Sequence, residues 1–316
     1  MIMPARKFVA FAVLVCAAAF CHAAELPNYK TELNIVFAKV GDKELKLCAF
    51  MPENADKPTP CMIDIHGGWW SAGDMASDIR HVWGWQTFMG RNIAVVSIQY
   101  RLGAEGGFPE NIRDCRNAIR FVRKNAKRFN IDPDRIGCMG GSAGSHLSMM
   151  CAMVPEDFDD GGPMEDLKGV SAKVCNAFSF VGPTDFVLQW NSAPSDELPD
   201  GKFRPADGKI PDDARPRHRI LFKGVTPDTE EHKELYRKMS AIGHIRKDIS
   251  PVLICDGEKD PIVPGTPGKA LVEKLKAAGA DATYWMSPGG GHAYPSGPGF
   301  KEVLDEFLAR TLKLDK

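Results

Sequence analysis

The stretch Arg135-Ile-Gly-Cys-Met-Gly-Gly-Ser-Ala-Gly144 decides the fold. Its apolar first half predicts a short buried strand, and its glycine-rich second half predicts a tight turn into a helix that starts near Ser142. Gly140, Ser142 and Gly144 have G-x-S-x-G spacing. A turn this sharp crowds its neighbours, so only small residues fit beside the serine. The turn lifts the hydroxyl clear of its own backbone, which predicts a nucleophile; the alternative is a plain glycine turn in a parallel sheet.

Apolar runs and helical patterns alternate along most of the chain. The predicted strands are 31–40, 44–50, 61–66, 93–97, 135–139, 177–181, 252–256 and 282–286, and the first two form an edge hairpin. The predicted helices cover 111–125, 146–153, 265–278 and 299–312. This alternation predicts one α/β domain over 25–316, with a mostly parallel central sheet flanked by helices on both faces.

Residues 183–249 interrupt the alternation. They are rich in Pro, Asp, Lys and Arg, and their hydrophobic periodicity is weak. Ligands of α/β folds bind at the carboxyl ends of the strands, so we expect an insertion that forms a partial lid over that edge. Whether such a lid moves is not encoded in the pattern.

The N-terminus has the pattern of an export signal. Two basic residues precede the apolar run 8–20, and Cys21-His-Ala-Ala24 offers small residues for cleavage. We therefore expect a signal peptide over 1–24 and a secreted or periplasmic protein without a stable membrane anchor. The alternatives are an uncleaved membrane anchor and a lipoprotein anchor at Cys16 or Cys21. The lipoprotein anchor is disfavoured because the residue before each of these cysteines is too bulky for a lipobox.

Charge and cysteine content narrow the class of partner. Lys and Arg number 40 against 41 Asp and Glu, a balance that gives no reason to expect nucleic acid as a partner. The nine cysteines contain no C-x-x-C pair, and the loose group Asp64, His66, Asp74 and His81 has no known ligand spacing. We therefore expect no metal and no cofactor. Disulfide pairing and oligomeric state stay open.

A nucleophilic serine needs a base and an acid that orients the base. The preferred acid is Asp260, because it lies in a loop after a predicted strand, where its carboxylate can swing toward the serine. Asp256 in the same segment and Asp185 after the preceding strand are the alternatives.

The preferred base is His292, in Gly289-Gly-Gly-His-Ala293 after the last predicted strand. Its preceding glycines let a loop place the imidazole beside the serine. The other histidines have simpler interpretations. We expect His146 and His81 to pack locally, and the insertion histidines to face solvent, namely His218, His232 and His244.

The segment His66-Gly-Gly-Trp-Trp-Ser-Ala-Gly-Asp74 predicts a site for a developing oxyanion. Glycines leave backbone N–H groups unshielded, so Gly68 and Trp69 are the predicted donors, together with Ala143 at the helix start. Trp70 and His66 are the candidate substrate-binding side chains: Trp69 and Trp70 would line an acyl or sugar pocket, whereas for His66 a structural role in the loop is preferred over that of a second base. The alternative for both is packing that holds the loop.

Taken together, these stretches resemble the α/β-hydrolase superfamily. They are similar to its secreted esterase/lipase branch, which includes hormone-sensitive-lipase-like enzymes and bacterial feruloyl and acetylxylan esterases. The matching segments span nearly the whole mature chain: His66–Trp70, Tyr100–Leu102, Phe108–Pro109 with Asp114, Asn130–Ile136, Gly140–Gly144, Gly182–Asp185, Asp256–Asp260 and Gly291–His292.

The resemblance implies an α/β-hydrolase fold with a catalytic triad of Ser142, Asp260 and His292. It also implies structural roles for Tyr100, Arg101 and Asp114. Two positions depart from the family pattern. Trp69 stands where an HGGG motif has its third glycine, which favours short or planar acyl groups, and Ser145 replaces the glycine after the elbow, which we expect to be harmless.

The expected activity is that of an exported serine carboxylesterase that needs no cofactor. Its expected substrates are small-molecule or polysaccharide esters with short-chain or aromatic acyl groups, above all acetyl or feruloyl groups. Two alternatives remain open: a peptidase or amidase on the same fold, arylformamidase-like enzymes included, and a catalytically inactive binding protein.

Overall fold

A computed structural model describes residues 28–75, 88, 90–158, 164–192, 221–263 and 265–314. The predicted signal peptide, His81, His218 and the middle of the insertion lie outside these ranges. Within them, no helix combines the length and the apolar character needed to cross a bilayer.

Eight strands form one sheet in the order β1-β2-β4-β3-β5-β6-β7-β8. The first two strands pair antiparallel, as does β2 with β4, and every later pairing is parallel. The strands are β1 Tyr29–Val40, β2 Lys43–Pro52, β3 Thr59–Ile65, β4 Ala94–Ile98, β5 Ile131–Gly141, β6 Ala177–Phe180, β7 Val252–Gly257 and β8 Ala282–Ser287. The mostly parallel sheet and its edge hairpin are therefore confirmed.

Side chains alternate across the sheet and build a core on each face. Ile63 of β3 and Val96 of β4 belong to one core, while their neighbours Met62 and Val95 belong to the other. The described helices cover both cores: α1 Glu110–Lys124, α2 Ala143–Met153, α3 Phe186–Ser192, α4 Glu230–Met239, α5 Thr266–Ala277 and α6 Phe300–Thr311. The helix α6 packs on the second core, and α1, α2 and α5 pack on the first.

The helix α1 shows where pattern alone misleads. Its apolar positions are buried as the spacing predicts, but two of its arginines are buried too. Arg116 and Arg120 are 1% and 3% exposed. Their guanidinium groups donate to the carbonyl oxygens of Glu156 and Val170, at 2.8 and 3.1 Å. Buried cations need such acceptors, and connections remote in sequence supply them.

The described part of the insertion is built into the first core. Phe222 stacks on Tyr236 of α4 at 3.6 Å between ring centroids, and both are buried. His244, in the short 3₁₀ turn Ala241–His244, is half-buried against Phe158 instead of facing solvent. Low apolar content in this segment therefore hides a few well-packed aromatic residues. That it acts as a lid stays a prediction.

Candidate active site

The predicted nucleophile lies at a strained turn between β5 and α2. Ser142 has φ 56° and ψ −120°, a conformation that costs a non-glycine residue of order 1–3 kcal/mol. A Cβ on Gly140 would lie 2.5 Å from the carbonyl oxygen of Ile65, and one on Gly144 would overlap that same oxygen. The close approach of β3 to this turn is thus the physical reason for the G-x-S-x-G spacing.

Backbone hydrogen bonds on both sides hold the elbow in place. The amide of Ser142 donates to the carbonyl of Phe180 at 3.0 Å, and its own carbonyl accepts from the amide of His146 at 3.2 Å. The hydroxyl of Ser145, the residue that departs from the family glycine, hydrogen-bonds to the hydroxyl of Ser179. Ser145 also lies against Gly182, where a Cβ would overlap it. Ser145 fits at this position because the residue opposite it is Gly182, which has no side chain.

The structure brings Asp260 and His292 together. The two groups are joined by a hydrogen bond of 2.8 Å between His292 Nδ1 and Asp260 Oδ2. The other carboxylate oxygen accepts from the amides of Ile262 and Val263, at 2.8 and 3.0 Å. The Asp260 side chain is fully buried, while that of His292 is 19% exposed. An Asp260 carboxyl group with both oxygens hydrogen-bonded thus orients the imidazole of His292 through its Nδ1.

The loops that carry Asp260 and His292 are joined to each other by backbone hydrogen bonds. The amide of Lys259 donates to the carbonyl of Gly290 at 2.7 Å, and the amide of Glu258 donates to Ser287 at 3.2 Å. In return, the amide of Gly289 donates to the carboxylate of Glu258 at 2.6 Å. A Cβ on Gly257 would overlap the carbonyl of Gly291. The glycines therefore allow the two loops to approach closely, in addition to giving the backbone conformational freedom.

The alternative acids have other contacts. Asp256 is buried with one oxygen that has no hydrogen-bond partner, and it lies against Gly265 and Gly268 at the start of α5. Burial raises the pKa of Asp256 to about 8, with the nearby Asp260 charge adding to the shift. Asp185 accepts from the amide of Leu188 at 2.9 Å and so caps α3. Of the three carboxylates, Asp260 is the one that contacts His292.

The predicted oxyanion loop passes directly beside the elbow. A Cβ on Gly67 would lie 3.1 Å from the carbonyl oxygen of Gly141 and 3.5 Å from the Ser142 Cβ. Gly68 has φ 111°, and Trp69 and Trp70 both have φ 57°. Successive left-handed residues are unfavourable for tryptophan, so the surrounding structure must impose this path. The loop thus lies where donors to an oxyanion on Ser142 are needed.

The two candidate substrate-binding side chains are buried in the structure. His66 is 1% exposed, stacks on Tyr100 at 4.4 Å, and bonds to the carbonyl of Gly67 at 2.7 Å. Trp70 is 3% exposed and donates to His146 Nδ1 at 3.2 Å. These contacts correspond to the packing alternative for both residues, because neither ring presents an open surface to a substrate.

The two aspartates of the loose acidic and histidine group have other partners. Asp64 accepts from the hydroxyl of Ser97 at 2.9 Å, and Asp74 accepts from the amide nitrogen of Gln99 at 2.8 Å. Among the described residues, no three His, Cys, Asp or Glu side chains are arranged to hold a metal ion. The seven cysteines within the described ranges form no disulfide bonds.

The family model BD-FAE matches residues 47–275, nearly three quarters of the chain. The chain belongs to the BD-FAE family. It is therefore a member of the α/β-hydrolase esterase/lipase superfamily, as the motifs indicated. The match includes the elbow and Asp260, and it ends before His292.

Curated relatives of this BD-FAE member carry esterase names. Esterase LipC of Mycobacterium tuberculosis is 26% identical over 75% of this chain and 54% of its own length. A probable isoprenylcysteine alpha-carbonyl methylesterase of Arabidopsis thaliana, ICMEL1, is 24% identical over 86% of this chain and 54% of its own length. The chain thus spans about half the length of these relatives.

Solved structures share the fold over nearly the whole chain. A truncated carbohydrate esterase from gut microbiota has a TM-score of 0.71 at 24% identity, covering 90% of this chain and 98% of its own. Esterase 2 of Thermogutta terrifontis has a TM-score of 0.65 at 24% identity, covering 90% and 93%. At this identity the likeness establishes the α/β-hydrolase fold.

Proposed function

We propose that this protein is a serine carboxylesterase in which Ser142, His292 and Asp260 form the catalytic triad. One observation carries the proposal: the buried, fully bonded Asp260 carboxylate holds His292 Nδ1 at 2.8 Å. The strained Ser142, beside a glycine loop of left-handed residues, supplies the matching nucleophile and oxyanion site. The esterase names of the relatives support the same reaction class.

In the proposed reaction each of these groups has a distinct role. Ser142 Oγ attacks the ester carbonyl while His292 Nε2 takes the hydroxyl proton, since Nδ1 donates to Asp260. The amides of Gly68, Trp69 and Ala143 stabilise the tetrahedral oxyanion, each by about 3 kcal/mol. Collapse breaks the ester bond, and the imidazolium returns the proton to the departing alcohol. Water, deprotonated by His292, then releases the acid from the acyl-serine.

Short or planar acyl groups on a carbohydrate are the proposed natural substrates of an exported enzyme. The similarity to a carbohydrate esterase from gut microbiota supports a sugar alcohol. Trp69, partly buried against the core in place of a small residue, supports a narrow acyl side. The signal pattern over 1–24 supports an extracytoplasmic ester, because polysaccharides lie outside the cell.

The first experiment compares p-nitrophenyl acetate, butyrate and octanoate with methyl ferulate, for the wild type and for Ser142→Ala. We expect hydrolysis of acetate or ferulate esters that Ser142→Ala abolishes. Hydrolysis that survives Ser142→Ala would show that the elbow serine is not the nucleophile. Activity on matched anilides but not on esters would favour the amidase alternative. Failure to react with a fluorophosphonate would favour an inactive binding protein.

A second experiment tests the substrate class. Acetylated xylan and feruloylated arabinoxylan are incubated with the enzyme, and released acetate and ferulate are quantified. Release of either acid, lost in Ser142→Ala, supports a polysaccharide ester. Good activity on simple esters without release of acid from either glycan would support the esterase function but contradict a polysaccharide substrate.

A further inference from the structure

The structure contains a buried histidine that the proposed mechanism does not use. His146 lies in α2, one turn after Ser142, and is fully buried. Its Nδ1 accepts from the indole N–H of Trp70 at 3.2 Å, and its Nε2 contacts the carbonyl of Met239 at 2.6 Å. Because a carbonyl only accepts, Nε2 carries the proton and the ring is the neutral tautomer. Burial lowers the pKa of His146 to about 4, consistent with that state.

The Trp70–His146 bond joins the two halves of the oxyanion site. Trp69 belongs to the loop after β3, whereas Ala143 belongs to α2, so the distance between their amides depends on how loop and helix are held together. Trp70 is the residue directly after Trp69, and His146 lies one turn after Ala143 on the same helix. A bond between these two neighbours therefore fixes loop against helix.

The backbone of the loop is strained, so it needs contacts that restrain it. Trp69 and Trp70 are both left-handed at φ 57° and would relax if released. Trp70 is restrained by the His146 bond, by a hydrogen bond of 2.7 Å from the amide of Gly103 to its carbonyl, and by Phe186 at 5.4 Å. Relaxation of Trp70 would turn the amide of Trp69 away from the oxygen of the reacting carbonyl.

We propose that His146 is a positioning residue that holds the oxyanion loop through Trp70, so that its loss weakens transition-state binding more than substrate binding. The inference rests on the proposed esterase function. It extends to the insertion, because His146 also contacts the carbonyl of Met239 at the end of α4. The neutral ring thereby connects loop, elbow helix and insertion.

The test uses substitutions of His146 that keep either the bond from Trp70 or the bond to the Met239 carbonyl. His146→Asn places an acceptor near the Nδ1 position, and His146→Gln places a donor near the Nε2 position. Trp70→Phe removes the indole donor but keeps an aromatic ring. We expect His146→Gln, His146→Leu and Trp70→Phe to lower kcat on p-nitrophenyl acetate about tenfold with KM little changed, the loss expected for one hydrogen bond. His146→Asn should retain most of kcat.

Two further readouts separate positioning from a merely structural role. Trp70→Phe combined with His146→Leu should lower kcat no further than either change alone, because both remove the same bond. Affinity for a trifluoromethyl ketone, which forms an oxyanion on the serine, should fall in proportion to kcat/KM across the series. Thermal midpoints measured in parallel should not follow the order of kcat.

The outcomes distinguish the two proposals. If the wild type is inactive, or if Ser142→Ala stays active, the esterase function fails. If the wild type needs Ser142 but His146→Leu keeps full kcat, the positioning role is overturned while the esterase stands. Equal losses in His146→Asn and His146→Leu, following their thermal midpoints, would likewise overturn it.

Discussion

Replacing Asp260 by Asn tests the acid–base pair most directly. In the structure Oδ1 accepts two backbone N–H bonds, from Ile262 and Val263, and Oδ2 accepts the bond from His292 Nδ1. An asparagine keeps its single carbonyl oxygen toward the two amides, since turning its NH₂ there would set donor against donor. The NH₂ then faces His292 Nδ1 and favours the tautomer protonated at Nε2. That tautomer cannot take the proton of Ser142.

The size of the loss follows from these contacts. The charge-assisted bond to Nδ1 contributes about 1.5–3 kcal/mol, and forcing Nδ1–H against a donor costs about 1–3 kcal/mol more. Together these predict that kcat falls between about a hundredfold and ten-thousandfold. The assay is p-nitrophenyl acetate hydrolysis near neutral pH, and the rate of Ser142→Ala gives the background that remains without the proposed nucleophile.

A matched control lies four residues earlier in the same segment. Asp256→Asn is the same change at a buried carboxylate that lies against the start of α5, whereas His292 Nδ1 is bonded to Asp260. Its kcat should stay within about twofold of wild type, since Asp256 has no hydrogen bond to Asp260 or His292 and its raised pKa leaves it mostly uncharged near neutral pH. The reasoning is refuted if Asp260→Asn keeps more than about a tenth of kcat, or if Asp256→Asn loses as much as Asp260→Asn.

Three further predictions concern stability. Gly144→Ala would place a methyl group into the backbone of β3 and should destabilise by about 3 kcal/mol or prevent folding. Gly291→Ala, into open space, should stay within about 0.5 kcal/mol in the same urea titration. Asp114→Asn disrupts a buried bidentate pair with Arg101 at 2.8 and 2.9 Å and should cost about 3 kcal/mol, which equal urea midpoints for both proteins would disprove. Burial raises the pKa of Asp256 from its ordinary 3.8 to about 8, so its ionisation opposes folding as pH rises between those values. Asp256→Asn should therefore flatten the fall in unfolding free energy across that range, and identical pH profiles of the two proteins would contradict the assignment.

The fold was predictable because its signals are local. Alternating apolar runs and helical spacing give all eight strands to within a few residues at each end, and the antiparallel hairpin follows from its turn at Gly41-Asp42. The elbow was equally readable, since close packing of β5 and α2 on β3 admits only glycine at Gly140 and Gly144. The contact between Asp260 and His292 followed from their places after neighbouring strands. The catalytic roles of these residues stay predictions.

What the sequence did not reveal depends on contacts between distant segments. Nothing local to Trp70 indicates that its indole meets His146, 76 residues later, or that the ring also meets Met239. The buried arginines of α1 show the same limit, because their partners are carbonyls from remote turns. Residue type alone also does not separate Asp256 from Asp260; the preference for Asp260 rests on its place in the loop beyond the strand.

Backbone strain is concentrated, independently of any motif, at the edge of the sheet where the proposed active site lies. Elsewhere in the described chain, left-handed non-glycine residues are asparagines and lysines, and asparagine tolerates this region well. At the carboxyl ends of β3, β5 and β6 they are instead Trp69, Trp70, Ser142 and Val181, for which the conformation is costly, above all for the β-branched valine. Val181 is held by a 2.8 Å bond from its amide to the carbonyl of Cys255 in β7. The residues that would relax most readily all lie where the proposed nucleophile and oxyanion donors lie. The packing of the parallel sheet therefore offsets the backbone strain that the proposed active site requires.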